Sequence, residues 1–91
     1  MSKTAKHIVF SGRVQGVGFR FTVLNVANRY GLTGQVRNMP DGSVEMVAQG
    51  RQEDIDNCIK DIQSSFIGYI SQTHIENIES HTSYKDFQIT F

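Results

Sequence analysis

Hydrophobic and polar residues alternate over several short stretches of the chain, as expected for strands that bury one face. From Lys6 to Val14 the apolar or small residues fall on every second position, and Gly16 and Gly18 then end the pattern. A turn signal at residues 39–42, Met-Pro-Asp-Gly, separates two more alternating segments and predicts a hairpin. Beyond the first strand, we predict strands over residues 33–38, 43–49, 73–79 and 87–91.

Two longer segments repeat their apolar residues at the three- and four-residue spacing of an amphipathic helix. The first covers residues 20–30, and Gly31 follows where a left-handed C-cap is expected. The second covers residues 51–66, and Glu53 and Asp54 in its first turn suit the positive end of the helix dipole.

Several side chains on these apolar faces are predicted to be core residues rather than functional ones. Cys58 lies on the apolar stripe of the second helix, which favours packing over a role as a nucleophile. The aromatic residues interpreted as core are Phe10, Phe19, Phe21 and Tyr30.

The predicted elements follow the order β-α-β-β-α-β, with a final short strand. Two right-handed crossovers around a hairpin give a ferredoxin-like α+β sandwich, in which both helices cover one face of a mostly antiparallel sheet. We expect one domain over residues 1–91, with residues 1–5 as a flexible tail. The open face of the sheet takes the more polar side chains, which are Ser11, Arg13, Gln35, Arg37, Glu45 and Gln49.

Composition and charge narrow the function classes. Nine basic and nine acidic residues cancel, which argues against a dedicated nucleic-acid binder, and no apolar run reaches the roughly 18 residues of a membrane span. The single cysteine allows no internal disulfide, and the first residues lack a signal-peptide core, so we expect a cytoplasmic protein. The charges are uneven, however: residues 1–45 have a balance of +4 and residues 46–91 of −4, which favours an anion site in the first half.

The segment most informative about chemistry is the glycine-rich turn over residues 12–20, Gly-Arg-Val-Gln-Gly-Val-Gly-Phe-Arg. Glycines let consecutive N–H groups converge on one point, and the start of a helix adds its positive dipole end. Arg20 falls in the first helical turn, where a cation opposes the dipole unless an anion lies nearby, and its guanidinium suits two phosphate oxygens. The turn lacks the Gly-Lys-Ser/Thr of a Walker A loop and the third Gly of a dinucleotide fingerprint, so it favours a small phosphate.

Asn38 ends the second predicted strand, directly before the turn. An Asn at this position is ordinarily a local cap. The topology also places it at a sheet end near the glycine-rich turn, where an amide offers a water one donor and one acceptor. Both interpretations stay open at this stage. His7, His74 and His81 have no recognised metal-ligand spacing, so we expect neither a metal nor a cofactor.

Two motifs resemble the signatures of the acylphosphatase family. The first is the turn over residues 12–20, and the second is Gly-Gln-Val-Arg-Asn over residues 34–38. Gly42, Val44 and Gly50 follow at the family's spacing, and with residues 87–91 the resemblance covers essentially the whole chain. The chain departs from the pattern at Gln35, where the family usually has an aromatic residue, and at Gly18, where some members have Cys.

The resemblance implies an enzyme that hydrolyses small acyl phosphates to a carboxylate and inorganic phosphate. We expect it to be a monomer that needs no cofactor. It implies that Arg20 binds the phosphate and that Asn38 orients the attacking water. Neither nucleic acid nor a membrane is implied as a partner. The backbone amides that would form the phosphate cradle are those of Gln15, Gly16, Val17, Gly18, Phe19 and Arg20.

Other functions fit the same topology. A non-catalytic phosphate- or anion-binding module is the closest alternative. Acylphosphatase-like domains also occur inside larger proteins such as hydrogenase maturation factors, although the length of this chain favours a free-standing domain. An RNA-binding domain of this topology would display stacking aromatics and basic residues on the open face, which the polar set there disfavours.

Overall fold

The computed structural model describes residues 3–80 and 83–91, over which the chain forms one sheet of five strands and two helices. The elements are β1 (Thr4–Gly12), α1 (Phe19–Arg29), β2 (Thr33–Asn38), β3 (Val44–Gly50), α2 (Gln52–Ser65), β4 (Ile70–Ile78) and β5 (Phe87–Ile89). The strands are arranged β4-β1-β3-β2-β5, and neighbours are antiparallel except for β2 and β5. The predicted ferredoxin-like α+β fold is confirmed.

The first strand begins earlier than the alternating pattern indicated. Thr4 pairs with Gly50 and Ala5 with Gln49, and the Ala5 side chain is buried. The flexible tail predicted over residues 1–5 is therefore wrong for Thr4 and Ala5, because β3 extends far enough to pair with them. Residues 1 and 2 lie outside the described part of the chain.

The first strand also ends earlier, at Gly12 rather than Val14, because the chain turns sharply there. Gly12 has φ +120°, and a Cβ at this position would lie 2.3 Å from the backbone oxygen of Tyr69. The partner strand β4 begins at Ile70, three residues before its predicted start. Most side chains of this edge strand are exposed, so its sequence carries no clear alternation.

The core lies between the helices and one face of the sheet, and three aromatic rings form its end nearest the start of α1. The Phe19 ring lies with its centroid 5.1 Å from that of Phe10 and 4.7 Å from that of Phe66. Phe21, which was predicted to join the core, is 68% exposed. Two residues along a helix turn by about 200°, so Phe21 points away from the face that buries Phe19.

The open face of the sheet is polar, but its polar groups are more enclosed than predicted. Gln49 is buried rather than exposed, since β1 and β2 flank it on both sides. His7 Nε2 and Arg37 Nε donate hydrogen bonds of 2.8 and 2.7 Å to the Glu45 carboxylate. The His7 contact and, after it, Arg37 lower the pKa of Glu45 below its usual value. None of the strand residues on this face, all of which the structure describes, is Phe, Tyr or Trp.

We expect Cys58 to be a packing residue with an unreactive thiol. Burial raises its pKa to about 12, so the thiolate is scarce at neutral pH. Cys58→Ser should lower the free energy of unfolding by about 1–3 kcal/mol, because a buried hydroxyl needs a partner that an apolar site does not offer. Thermal denaturation measures the loss, with Cys58→Ala as the control that introduces no hydroxyl. Rapid reaction of the native thiol with a disulfide reagent at pH 8 would contradict this assignment.

Candidate active site

The loop between β1 and α1 takes a conformation that only glycine adopts readily. Gly16 and Gly18 both have φ +78°, in the left-handed region. A Cβ at either position would meet no atom within 4 Å, so backbone conformation, and not lack of space, requires glycine there. Val17 lies exposed between them, and Phe19 is buried at the start of the helix. The loop is thus open to solvent on one side and fixed to the core on the other.

The N–H groups of this loop lack partners in the part of the chain that the structure describes. In residues 3–80 and 83–91, no backbone N–H from residue 15 to residue 20 donates to a backbone oxygen. Gly18 forms the N-cap without a side-chain hydrogen bond, and the first turn of α1 contains no acidic residue. These donors and the positive end of the helix dipole therefore favour an anion.

Arg20 adds an uncompensated charge to the same place. It is the second residue of α1, and it takes part in none of the ion pairs found in the described ranges. Its Cζ lies 5.4 Å from the centroid of the Phe91 ring. A cleft of about 280 Å³ opens beside it, lined by Val14, Gly16, Gly18, Phe19, Arg20, Phe21, Ile89 and Phe91.

Asn38 lies near this loop because of the strand order. Val44 of β3 pairs with Phe10 on one side and with Asn38 on the other. Neighbouring strands are about 4.8 Å apart, so Asn38 lies two strand spacings from the end of β1. Both residues therefore lie where their strands end on the same side of the sheet. The structure thus brings together two segments that are separated in the sequence by the whole of α1.

The environment of Asn38 differs from that of a turn cap. Its Oδ1 atom is buried and has no hydrogen-bond partner among the described residues. Asp41 caps the turn instead, since its Oδ1 accepts from Ser43 N at 3.0 Å and from Ser43 Oγ at 2.6 Å. The backbone closes the same turn, with Met39 N donating to Ser43 O at 2.8 Å. The Asn38 amide is therefore not needed for the turn.

Gln15 connects the loop to the turn that follows Asn38. Its Nε2 donates two hydrogen bonds of 2.9 Å, to the backbone oxygens of Met39 and Ser43. The sequence predicts a role for the backbone amide of Gln15 but not this role of its side chain. No local pattern reveals it, because the two acceptors lie 24 and 28 residues away.

The remaining candidate residues lie elsewhere. His7 and His74 are engaged with Glu45 and Glu76, and His81 falls outside the described residues. Within the described ranges, His, Cys, Asp and Glu side chains form no group of three that could hold a metal ion. The absence of a metal and of a cofactor stays a prediction. No helix in those ranges is both long and apolar enough to cross a membrane.

Comparisons with known proteins agree with this arrangement. The family model described as Acylphosphatase matches residues 6–89. A protein named acylphosphatase from Chlorobaculum tepidum is 40% identical over 90 residues, which cover 98% of this chain and 98% of that protein. The crystal structure of acylphosphatase from Bacillus subtilis superposes with a TM-score of 0.89 at 29% identity, covering 97% of this chain and 99% of that one.

The same unit also occurs inside a larger protein. A crystal structure of full-length HypF, in a phosphate- and nucleotide-bound form, matches with a TM-score of 0.86 at 32% identity. The match covers 99% of this chain but only 12% of that one. Because the family model spans most of the chain and the similarity to small acylphosphatases extends over nearly its full length, the chain belongs to the acylphosphatase family.

Proposed function

We propose that this protein hydrolyses acyl phosphates to a carboxylate and inorganic phosphate, with Arg20 and the loop amides binding the phosphate and Asn38 orienting water. The observation that carries the proposal is the buried Oδ1 of Asn38, which has no partner among the described residues and lies beside a loop suited to anions. Buried polar atoms in native proteins ordinarily have partners, and those without one call for an explanation. A water molecule that is bound to Asn38 Oδ1 and attacks phosphorus is such an explanation.

The loop and Arg20 together suit a phosphoryl group. The N–H groups of residues 15–20 and the start of α1 offer fixed donors, which need no reorganisation during the reaction. Arg20 adds a full positive charge with two parallel donors, and no carboxylate of the described residues competes for it. Both features stabilise the charge on the equatorial oxygens as the phosphoryl group transfers.

The chemistry requires little beyond this positioning. The Asn38 Oδ1 accepts a hydrogen bond from the water, whose lone pair is then directed at phosphorus. A P–O bond forms to the water, the bond from phosphorus to the acyl oxygen breaks, and the electron pair leaves on the carboxylate. A carboxylate is a good leaving group, so no general acid is needed, and a phosphate oxygen takes the proton of the water. Orientation and charge stabilisation account for the catalysis.

Turnover of benzoyl phosphate in the presence of EDTA tests the proposal, and titration with inorganic phosphate followed by amide chemical shifts accompanies it. We expect metal-independent hydrolysis, together with shift changes over residues 15–20. Phosphate binding without turnover would instead identify a non-catalytic anion-binding module, and shift changes confined to α2 would exclude this loop as the site.

Replacing Arg20 should impair both binding and catalysis. Arg20→Gln removes the only charged side chain among the described residues that line the cleft. The Kd for phosphate should therefore rise by at least about 30-fold, and kcat should fall. Arg20→Lys should restore only part of the loss, because an ammonium group lacks the two parallel donors. Arg29→Gln is the matched control, since Arg29 lies at the opposite end of α1. Near-normal kinetics for Arg20→Gln would remove the assignment.

Replacing Asn38 should separate catalysis from binding. Asn38→Ala removes a neutral group whose proposed task concerns the transition state, so kcat should fall by about 10²–10³-fold while the Kd for phosphate changes little. A role as turn cap predicts a different outcome, a loss of about 1 kcal/mol in stability with kcat intact. Steady-state kinetics, phosphate titration and thermal denaturation of this variant distinguish the two. Equal losses in kcat and in phosphate affinity would also contradict the water-orienting role.

The Gln15 side chain should act as a positioning group for Asn38. Gln15→Leu keeps the backbone amide but loses both bonds to the turn, so kcat should fall by about 10- to 100-fold with little change in phosphate Kd. In a double variant with Asn38→Ala the two losses should not add, because both act through the same water. Additive losses, or a lower Tm with kcat unchanged, would assign Gln15 a merely structural role.

A further inference from the structure

The cleft beside Arg20 has two chemically different walls. One is formed by the glycine loop and Arg20, which suit an anion. The other is formed by Phe21, Ile89 and Phe91, and the residues Phe21 and Phe91 are 68% and 98% exposed. Single exposed apolar residues are common, but two aromatic rings at the rim of one cleft next to an uncompensated arginine form a small amphipathic surface.

Neither ring is needed for the core. Phe21 lies on the face of α1 opposite the buried Phe19, and Phe91 lies beyond the end of β5. The Phe91 ring contacts the Arg20 guanidinium at 5.4 Å, a cation–π distance that places it at the mouth of the cleft. These rings therefore provide apolar surface beside the proposed phosphate site at little cost to the fold.

We infer that the apolar wall binds the acyl group, so that the enzyme prefers acyl phosphates whose acyl part is small and apolar. This inference rests on the proposed function. Water and leaving group lie on opposite sides of phosphorus in an in-line displacement. Asn38 is not among the residues that line the cleft, so the cleft is free to take the leaving group. Its volume of about 280 Å³ suits a short alkyl chain or a single ring.

The lining also disfavours charged acyl groups. Arg20 is the only charged side chain among the described residues that line the cleft, and the phosphate engages its guanidinium. An acyl group with its own carboxylate would find no second cation there, and it would lose hydration against the phenyl rings. Butyryl and succinyl phosphate have the same number of acyl carbons and differ mainly in that carboxylate, so they form a matched pair.

The first measurement is kcat/KM for acetyl, propionyl, butyryl and succinyl phosphate. Each added methylene should raise kcat/KM by about two- to fourfold, because it leaves water for the apolar wall. The reactivity of the carboxylate leaving group changes little along the alkyl series. Succinyl phosphate should be a poorer substrate than butyryl phosphate. A flat alkyl series, or equal kcat/KM for the matched pair, would overturn the inference.

The second measurement does not depend on turnover. Methyl-, propyl- and phenylphosphonate carry the anion but cannot be hydrolysed, and their Kd values should fall as the apolar part grows. The same trend without hydrolysis of any acyl phosphate would refute the proposed function and still support the apolar subsite. Hydrolysis without any trend in either series would refute the subsite alone.

Variants of the two rings complete the test. In Phe21→Ala and Phe91→Ala the dependence on chain length should flatten, with the loss growing from acetyl to butyryl phosphate. Ile67→Ala is the matched control, because Ile67 is 79% exposed in the turn between α2 and β4, outside the cleft. The control should keep the wild-type dependence. If both phenylalanine variants also kept it, the rings would have no part in acyl recognition.

Discussion

The burial of Phe19 between Phe10 and Phe66 is the contact on which the geometry of the site depends. It fixes the first turn of α1 against the end of β1, so the loop between them has a defined path. Because the path is defined, the left-handed conformations of Gly16 and Gly18 hold the loop at one position, open to solvent. Arg20 directly follows Phe19, so the same packing fixes the position of its backbone.

The start of α1 is locally unfavourable for stability and suited to ligand binding. The helix has glycine as its N-cap, no acidic residue in its first turn and a cation there instead. The apolar face of the helix offsets these costs, since Val23, Val26 and Ala27 are buried with Phe19 in the core. Packing along the rest of α1 thus allows its first turn to remain available for an anion.

The sequence predicts what depends on local pattern. Alternation located the hairpin of β2 and β3, and helical spacing located both helices to within a residue or two. Prediction from the sequence was wrong where contacts between distant residues decide whether a residue is ordered or buried. Ala5 is ordered because β3 reaches it, and Gln49 is buried because two strands flank it. Phe21 was assigned to the core for its residue type, although its phase along α1 places it outside.

In the candidate site, too, some features follow from the local sequence and others depend on contacts between distant residues. Its glycines, Arg20 and Asn38 follow from motif and position in the chain. The contacts of the Gln15 side chain do not, because they exist only once β1 and β2 have both paired with β3. Likewise, only the three-dimensional structure shows that Asp41 caps the turn and that the Asn38 oxygen has no partner among the described residues.

The hydrogen bonds of Gln15 span 24 and 28 residues, and this separation has a consequence for folding. In the unfolded chain the loop and the turn are joined only by a flexible segment, and closing it costs conformational entropy. The two halves of the site therefore meet only in a chain in which β1 and β2 are both paired with β3. An anion that binds the loop as it stands in the native state, and not the unfolded chain, stabilises the fold in proportion to the logarithm of its concentration. Inorganic phosphate, the product of the proposed reaction, would then also act as a folding ligand, protecting the enzyme against unfolding wherever it accumulates.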